Sequence, residues 1–296
     1  MTTIDATPMA VPQPHAAGLG ASVRRWLATF GKYASLVVAA VVMLTPLVVV
    51  LMTSLKTAQE AAAGDPFSPP SNWLNLDNYV LAFREGNMLQ GFFNTTLILI
   101  VSITGTVLIG SMTAYAIDRF DFRGRRAVMG AFLLATLVPG VTTQVATFQV
   151  INTLGLFNSR WSAILLYVGT DIMSIYIFLQ IIRGIPTSLD EAARIDGANT
   201  WTIYRRIILP NLKPAIATVV IVKGIAVYND FYIPFLYMPG EDLGTISTSL
   251  FRFKGPFGAS WEAISAGAIL VILPTLVVFL ALQRYIYNGF TSGAVK

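Results

Sequence analysis

Long apolar runs, separated by short charged segments, constrain this chain more than any other feature of its sequence. Five runs carry almost no charge, and a sixth is interrupted by Lys223 and Asp230. A helix of about 20 apolar residues crosses the hydrocarbon core of a bilayer. The sequence therefore predicts an all-α membrane protein with six transmembrane helices, at about residues 34–54, 93–117, 127–148, 161–182, 214–236 and 264–282.

The composition supports this interpretation and excludes several other classes of protein. Of the 296 residues, 55% are hydrophobic and 12% are charged, whereas about a quarter of the residues in soluble domains are charged. The chain has no cysteine, which excludes disulfides, cysteine metal ligands and cysteine nucleophiles. Its one histidine, His15, lies in an Ala- and Pro-rich stretch that is typical of a flexible tail. We therefore expect no catalytic, cofactor-binding or metal site in this chain.

The basic residues predict how the helices are oriented. Lys and Arg flank the apolar runs, so the formal net charge of +5 favours membrane topology over binding of nucleic acid. With both termini inside, most of the 20 basic residues are cytoplasmic, which is the bias that membrane proteins show. The outer segments then carry Lys56, Arg84, Arg160, Arg252 and Lys254. Residues 1–30 are predicted to be a flexible cytoplasmic tail, and residues 31–296 to form the transmembrane domain.

The outer segment between the first two runs carries turn signals and one candidate helix. Prolines and an asparagine in residues 66–72 mark turns. Asp77–Glu85 is predicted to form a short amphipathic helix, because Tyr79, Ala82 and Phe83 share one helical face.

The longest cytoplasmic segment between runs lies between the fourth and the fifth. Ser188 with Glu191, or Thr187 with Asp190 in a competing register, makes a capping-box pattern that starts a short helix. Gly197 can adopt the left-handed conformation that ends such a helix.

A second short helix is predicted to follow this turn. Asn199 or Thr200 can cap its start, and it continues through Ile208. Pro210 is expected to end it just before the fifth run. The predicted structure is therefore a pair of cytoplasmic helices joined by a tight turn.

Three short strings in this segment resemble the EAA loop of binding-protein-dependent ABC importer permeases. They are Glu191-Ala192-Ala193, Asp196-Gly197-Ala198 and Ile208-Leu209-Pro210.

Short sequences elsewhere in the chain are similar to those of the MalG-like carbohydrate-uptake permeases. These are Pro69-Pro70-Ser71-Asn72-Trp73 with Asn78-Tyr79, then Tyr228-Asn229-Asp230-Phe231, Gln283-Arg284-Tyr285, and the ending Gly289-Phe290-Thr291-Ser292-Gly293-Ala294-Val295-Lys296.

The resemblance implies a permease subunit of an ABC sugar importer in the bacterial inner membrane. Its partners would be a MalF-like second permease, two ATPase subunits and an extracytoplasmic sugar-binding protein. The chain has no Gly-x-x-x-x-Gly-Lys-Ser/Thr phosphate loop, so ATP and Mg would be bound by the partner ATPase and this chain would not be an enzyme. The residues implied in ATPase coupling are Glu191, Ala192, Ala193, Asp196, Gly197, Ala198, Leu209 and Pro210.

The same architecture could serve a non-sugar solute such as an amino acid or phosphate. The C-terminal ending and the Tyr-Asn-Asp-Phe string argue against that alternative. A membrane enzyme would need a set of nucleophile, acid, base or metal ligands, which the sequence does not offer. A secondary transporter would be expected to show an internal inverted repeat, and none is recognisable in the sequence.

Ionisable residues at membrane depth are costly and are usually paired or functional. Asp171 and Lys223 each lie about ten residues into a predicted span, near mid-membrane at ~1.5 Å rise per residue. They are expected either to form a structural ion pair or to contact sugar. Amide, carboxylate and aromatic groups suit sugar hydroxyls and C–H faces. The further candidates for a substrate pathway are Tyr228, Asn229, Asp230 and Gln144.

Overall fold

The computed structural model describes residues 19–169, 171–255 and 258–292. His15 and most of the predicted tail lie outside the described residues, and so do the last four residues of the C-terminal string. Contacts divide the chain into two units, with the boundary between Val50 and Leu51. The first unit is formed by most of helix α1 (Leu19–Ser54), which contains Pro46 and is apolar from Trp26 onward.

The second unit is helical apart from one very short strand pair. Its α-helices up to Ile182 are α2 (Ala58–Ala62), α3 (Asp77–Glu85), α4 (Met88–Arg119), α5 (Arg125–Leu137), α6 (Gln144–Thr153), α7 (Arg160–Gly169) and α8 (Ile172–Ile182). The rest are α9 (Ser188–Ile195), α10 (Thr200–Ile203), α11 (Leu209–Asn211), α12 (Lys213–Asn229), α13 (Tyr232–Tyr237), α14 (Ile246–Ser249) and α15 (Trp261–Ser292). Strands β1 (Lys254–Gly255) and β2 (Gly258–Ala259) pair antiparallel.

Two helices in the described residues are each long and apolar enough to cross a membrane, Trp26–Ser54 within α1 and the whole of α4. Up to four spans result if each of two bent pairs is one span. The first pair is α7 with α8, bent by 41°, and the second joins Thr200–Asn211 to α12 with a bend of 70°. The apolar part of α15, Trp261–Val277, is shorter.

The predicted third span is not one continuous helix. Helix α5 ends at Leu137 and α6 begins at Gln144. Val138 between them is extended, because the ring of the following Pro139 disfavours helical backbone at the residue before it. The fifth predicted span is also interrupted, since Asp230 is extended at the end of α12 and α13 starts two residues later.

Helix α4 is the central element of the second unit. It packs against α7, α8 and α12, and α14 lies against its N-terminal part. One buried cluster joins the C-terminal end of α4 to α8 and to the segment around α10, through residues such as Tyr115, Phe178 and Ile208. This packing positions the segment between α8 and α12 against the C-terminal end of α4.

The outer segment before α4 is held by polar contacts. Helix α3 has the bounds that the sequence predicted, with Ala82 fully buried. Asn78 donates hydrogen bonds to the carbonyl oxygens of Ser54 and Lys56. The buried Lys56 ammonium donates to the Asp65 carbonyl and to the Ser68 hydroxyl. These bonds join the end of α1 to α3.

Candidate functional site

The segment between α8 and α12, which was predicted to be cytoplasmic, folds as a helix, a tight turn and a second helical stretch. Thr187 is the N-cap of α9, which selects the register with Asp190 at the third helical position, but the Thr187 side chain makes no capping bond. Gly197 has φ +82°, so the predicted left-handed turn is confirmed. Asn199 caps α10 by accepting a hydrogen bond from the Thr202 amide at 2.8 Å.

We predicted that the second stretch ends at Pro210, but it continues beyond this residue. A π-helical turn spans Tyr204–Ile208, and α11 carries Pro210 and continues to Asn211. Pro210 cannot donate a backbone hydrogen bond, and the wider π turn before it accommodates this loss. The chain then bends by 70° into α12.

A buried ion pair attaches α9 to the C-terminal end of α4. Arg119 Nε lies 2.8 Å from Asp190 Oδ2, and both side chains are almost fully buried. The two groups are not aligned for a hydrogen bond, so their attraction is mainly electrostatic. Arg119 also binds Asp118 at 2.7 Å and donates to the Ile185 carbonyl at 2.7 Å.

A second attachment joins the π turn to α4. The hydroxyls of Tyr204 and Ser111 are 2.8 Å apart and buried. The Tyr204 ring contacts the rings of Tyr115 and Trp201 at centroid distances of 5.6 and 5.4 Å. The segment between α8 and α12 is therefore held to α4 at both of its helical stretches.

The residues implied in coupling divide between two faces of this segment. Ala193, Ala198 and Leu209 are half-buried and pack against the cluster at the C-terminal end of α4. The remaining five are exposed: Glu191, Ala192, Asp196, Gly197 and Pro210. Ile195, which lies beside them, is 87% exposed although it is apolar.

Asp171 and Lys223 form a salt bridge between α8 and α12. Lys223 Nζ lies 3.4 Å from Asp171 Oδ2, and both side chains are largely buried. Asp171 is also the N-cap of α8 and accepts a hydrogen bond of 2.6 Å from the Ser174 hydroxyl. The predicted ion pair is thus present. Its acidic partner, Asp171, lies between α7 and α8, where the fourth predicted span is interrupted.

Tyr167 connects this pair to Asp230. The Lys223 ammonium is 6.0 Å from the centroid of the Tyr167 ring, and the Tyr167 hydroxyl donates to Asp230 Oδ2 at 2.8 Å. Asp230 Oδ1 accepts from the amide of Tyr232 at 2.8 Å, at the start of α13. A chain of polar groups therefore runs from the break between α7 and α8 to the break between α12 and α13.

The other three pathway candidates are not part of this chain of contacts. Tyr228 donates to the Val271 carbonyl of α15 at 2.9 Å. Asn229 is exposed and donates to the Ile225 carbonyl of its own helix. Gln144 starts α6 and is half-buried.

Sequence reasoning missed several residues that the structure places in these sites. Tyr167 and Ser174 share a helical face with Asp171, at spacings of four and three residues, and this polar stripe in an apolar run was a usable signal. The ion pair of Arg119 with Asp190 could not be predicted from the sequence, because the two residues are far apart along the chain and no local pattern connects them.

The fold is that of ABC transporter subunits. It matches a chain of a bacterial ABC transporter involved in import of the acidic polysaccharide alginate, with a TM-score of 0.77, 19% identity and coverage of 94% of this chain and 99% of that one. A chain of a bacterial alginate ABC transporter in complex with alginate pentasaccharide-bound periplasmic protein gives a TM-score of 0.62 at 20% identity, covering 91% of this chain and 98% of that one.

Residues 106–291 match the family described as binding-protein-dependent transport system inner membrane component, and the chain belongs to this family. It is 32% identical to the galactooligosaccharides transport system permease protein GanQ of Bacillus subtilis (strain 168), over 93% of this chain and 98% of that protein. It is 31% identical to the trehalose transport system permease protein SugB of Mycobacterium tuberculosis (strain CDC 1551 / Oshkosh), over 86% and 92% respectively. The chain is thus a transporter permease and not a catalytic enzyme.

Proposed function

We propose that this protein is the permease subunit of a binding-protein-dependent ABC importer for sugars. Its relatives include permeases named for galactooligosaccharides, arabinooligosaccharides and trehalose. These names favour a sugar over the alternative of an amino acid or phosphate. The individual sugar would be selected largely by the extracytoplasmic binding protein.

The proposed topology has six spans with both termini in the cytoplasm of a bacterial cell. Helices α1 and α4 would be the first two spans. The interrupted pairs α5–α6, α7–α8 and α12–α13 would be the next three, and α15 would be the sixth. With a MalF-like second permease, this chain would line half of the translocation pathway. Of the predicted tail at residues 1–30, the part from Leu19 onward is helical and belongs to α1, so the proposed cytoplasmic tail is the part before Leu19. The segment 238–260 would touch the binding protein.

The exposed face of α9 is the proposed contact with the ATPase. The observation that carries this proposal is the division of α9 into an inner side that is tied to α4 by Arg119 and Asp190, and an outer side that is exposed at Glu191 and Ala192. Ala192 lets a partner backbone approach closely, and Glu191 offers an acceptor to its donors.

The attachments to α4 suggest how force would reach the membrane. When the two ATPase subunits bind ATP and Mg and close, α9 would move with them. The buried pair Arg119–Asp190 and the bond between Tyr204 and Ser111 would transmit this motion to α4. The bend at Leu212 would carry it into α12 and thereby alternate access to the pathway.

A cysteine cross-linking experiment tests the proposed ATPase contact. The chain has no native cysteine, so a single introduced thiol is unique within it. Ala192→Cys in the assembled transporter should cross-link to a cysteine in the partner ATPase. Ala193→Cys is the matched control, because its side chain packs against the chain's own core. Equal cross-linking of both variants, or of neither, would contradict the proposal.

The polar chain from Asp171 to Asp230 is proposed to border the substrate pathway. Discontinuous helices form the substrate sites of many secondary transporters, and by analogy the two helix breaks here are candidate sites, since both acids lie at them. The exposed amide of Asn229 and the half-buried Gln144 would offer further groups to sugar hydroxyls. The alternative is that the ion pair of Asp171 and Lys223 is purely structural, with the main sugar site on the other permease.

A further inference from the structure

A cavity of about 710 Å³ lies between the turn that follows α4, the start of α5 and the end of α8. It is lined by Asp121, Phe122, Gly124, Arg125, Arg126, Met129 and Arg183. Ligand pockets in proteins have volumes of about 300–1,000 Å³. The cavity is separate from the exposed face of α9 and from the polar chain at Tyr167.

The positive charge of this cavity is not balanced by the described residues. The side chains of Arg125 and Arg126 make no hydrogen bond or ion pair with them. The nearest carboxylate to Arg183 is Asp118, at 3.9 Å, and the Arg183 side chain is 57% exposed. Asp118 is engaged more closely by Arg119, at 2.7 Å. Three arginines thus line the cavity with one acid, Asp121.

The start of α5 conflicts with the usual preference of helix termini. Its first two residues are Arg125 and Arg126, and its first turn contains no acid. The N-terminus of a helix carries partial positive charge, so basic residues there are unfavourable and an anion is stabilising. A bound anion would therefore relieve the repulsion both among the arginines and between them and the helix dipole.

Apolar groups lie beside the arginines. Phe122 and Met129 line the cavity. Along α5, Arg126 shares one helical face with Leu133 and Leu137, which are both strongly exposed. A ligand with a negative head and apolar tails would match this order of charged and apolar groups, whereas free phosphate would use only the charged part.

We propose that this cavity binds the phosphate of an anionic phospholipid from the inner leaflet. The guanidinium groups of Arg125, Arg126 and Arg183 would hold the phosphate oxygens, because arginine pairs with phosphate through two parallel hydrogen bonds. The acyl chains would follow the exposed apolar face of α5. This inference depends on the proposed cytoplasmic termini, which place the turn between α4 and α5 at the inner surface.

Lipid retention by the assembled transporter tests this site. The complex is reconstituted in nanodiscs that contain phosphatidylcholine with or without phosphatidylglycerol, and retained lipids are identified by native mass spectrometry. Each neutralised arginine should weaken retention of phosphatidylglycerol about fivefold, so Arg125→Gln with Arg126→Gln should lose most of it. Arg123→Gln is the matched control, because Arg123 is in the same turn but does not line the cavity.

The outcomes separate this inference from its alternatives. Unchanged phosphatidylglycerol retention in the double variant would overturn it, as would an equal loss in Arg123→Gln, which would indicate only diffuse surface charge. Displacement of the retained lipid by inorganic phosphate would assign the site to free phosphate instead. Sugar uptake measured in parallel reports on the transport function separately, since the readout for the site is lipid retention.

Discussion

Arg119 Nε lies 2.8 Å from Asp190 Oδ2, with both side chains almost fully buried, and this contact joins the C-terminal end of α4 to α9. A buried ion pair stabilises little by itself, but removal of one partner leaves the other charge uncompensated. The connection between α9 and α4 is therefore sensitive to the loss of either charge.

Arg119→Gln should destabilise the protein by about 3 kcal/mol or more, because Asp190 would remain buried without a counter-charge. The measurement is the thermal unfolding of the purified complex, together with sugar-dependent ATP hydrolysis. Arg123→Gln is the control, since the Arg123 side chain is exposed and makes no ion pair with the described residues, and it should change stability by less than about 0.5 kcal/mol. Similar losses for the two variants would refute a special role of the Arg119–Asp190 pair.

Gly197→Val should reduce transport and the coupling of ATP hydrolysis while leaving membrane insertion intact. Gly197 has φ +82°, and no atom lies within 4 Å of the position that a Cβ would occupy, so the penalty arises from backbone strain and not from a clash. Strain of about 1–2 kcal/mol is expected for a β-branched residue in this conformation. Gly197→Asn should retain more activity, because asparagine tolerates left-handed backbone. Normal transport by Gly197→Val would argue against the proposed coupling segment.

Lys223→Met should impair folding or transport, since it leaves the buried Asp171 carboxylate without its partner at 3.4 Å. The charge-swapped pair Asp171→Lys with Lys223→Asp should restore part of the defect. Restoration should be incomplete, because the swap also removes the acceptor that Ser174 uses at the start of α8. Uptake in vesicles and the yield of folded complex are the two readouts. A swap no better than either single variant would count against a role for charge pairing.

Glu60 should make the outer segment sensitive to acid. Hydrogen bonds from Ser71 and Thr57 lower the pKa of Glu60 from 4.5 to about 2. Because the folded pKa is depressed, the stabilisation is fully present above about pH 4.5 and is lost as the pH falls toward 2. Hydrogen exchange of residues 57–71, compared between the wild type and Glu60→Gln, should show a difference that shrinks across this window. A difference in hydrogen exchange that stays constant between pH 4.5 and pH 2 would disprove the assignment of the lowered pKa to Glu60.

Local features of the fold were predictable where the chain itself determines them. Helix α3 has its predicted bounds, because a short amphipathic pattern and flanking turn residues define it locally. The conformation of Gly197 was predictable for the same reason, since glycine has no Cβ to oppose positive φ. The interruption between α5 and α6 was missed although Pro139 lies within it, because hydropathy alone was used to set the span.

The contacts between distant parts of the chain were not predictable in this way. Tyr167 and Asp230 are 63 residues apart, and no spacing rule connects them. The same holds for Arg119 and Asp190. Such pairs depend on which helix faces meet, and that choice is made by the packing of the whole bundle.

The sequence by itself determined that the chain is an apolar helical membrane protein with a short helix–turn–helix on one side, because helix periodicity, apolar length and glycine geometry act within a few residues. Only the tertiary structure decided that this segment is tied to α4 through Arg119 and Tyr204, and that Asp171 and Asp230 occupy two helix breaks joined through Tyr167. The physical reason is that buried charges and hydroxyls need partners, and those partners come from residues that only folding brings close.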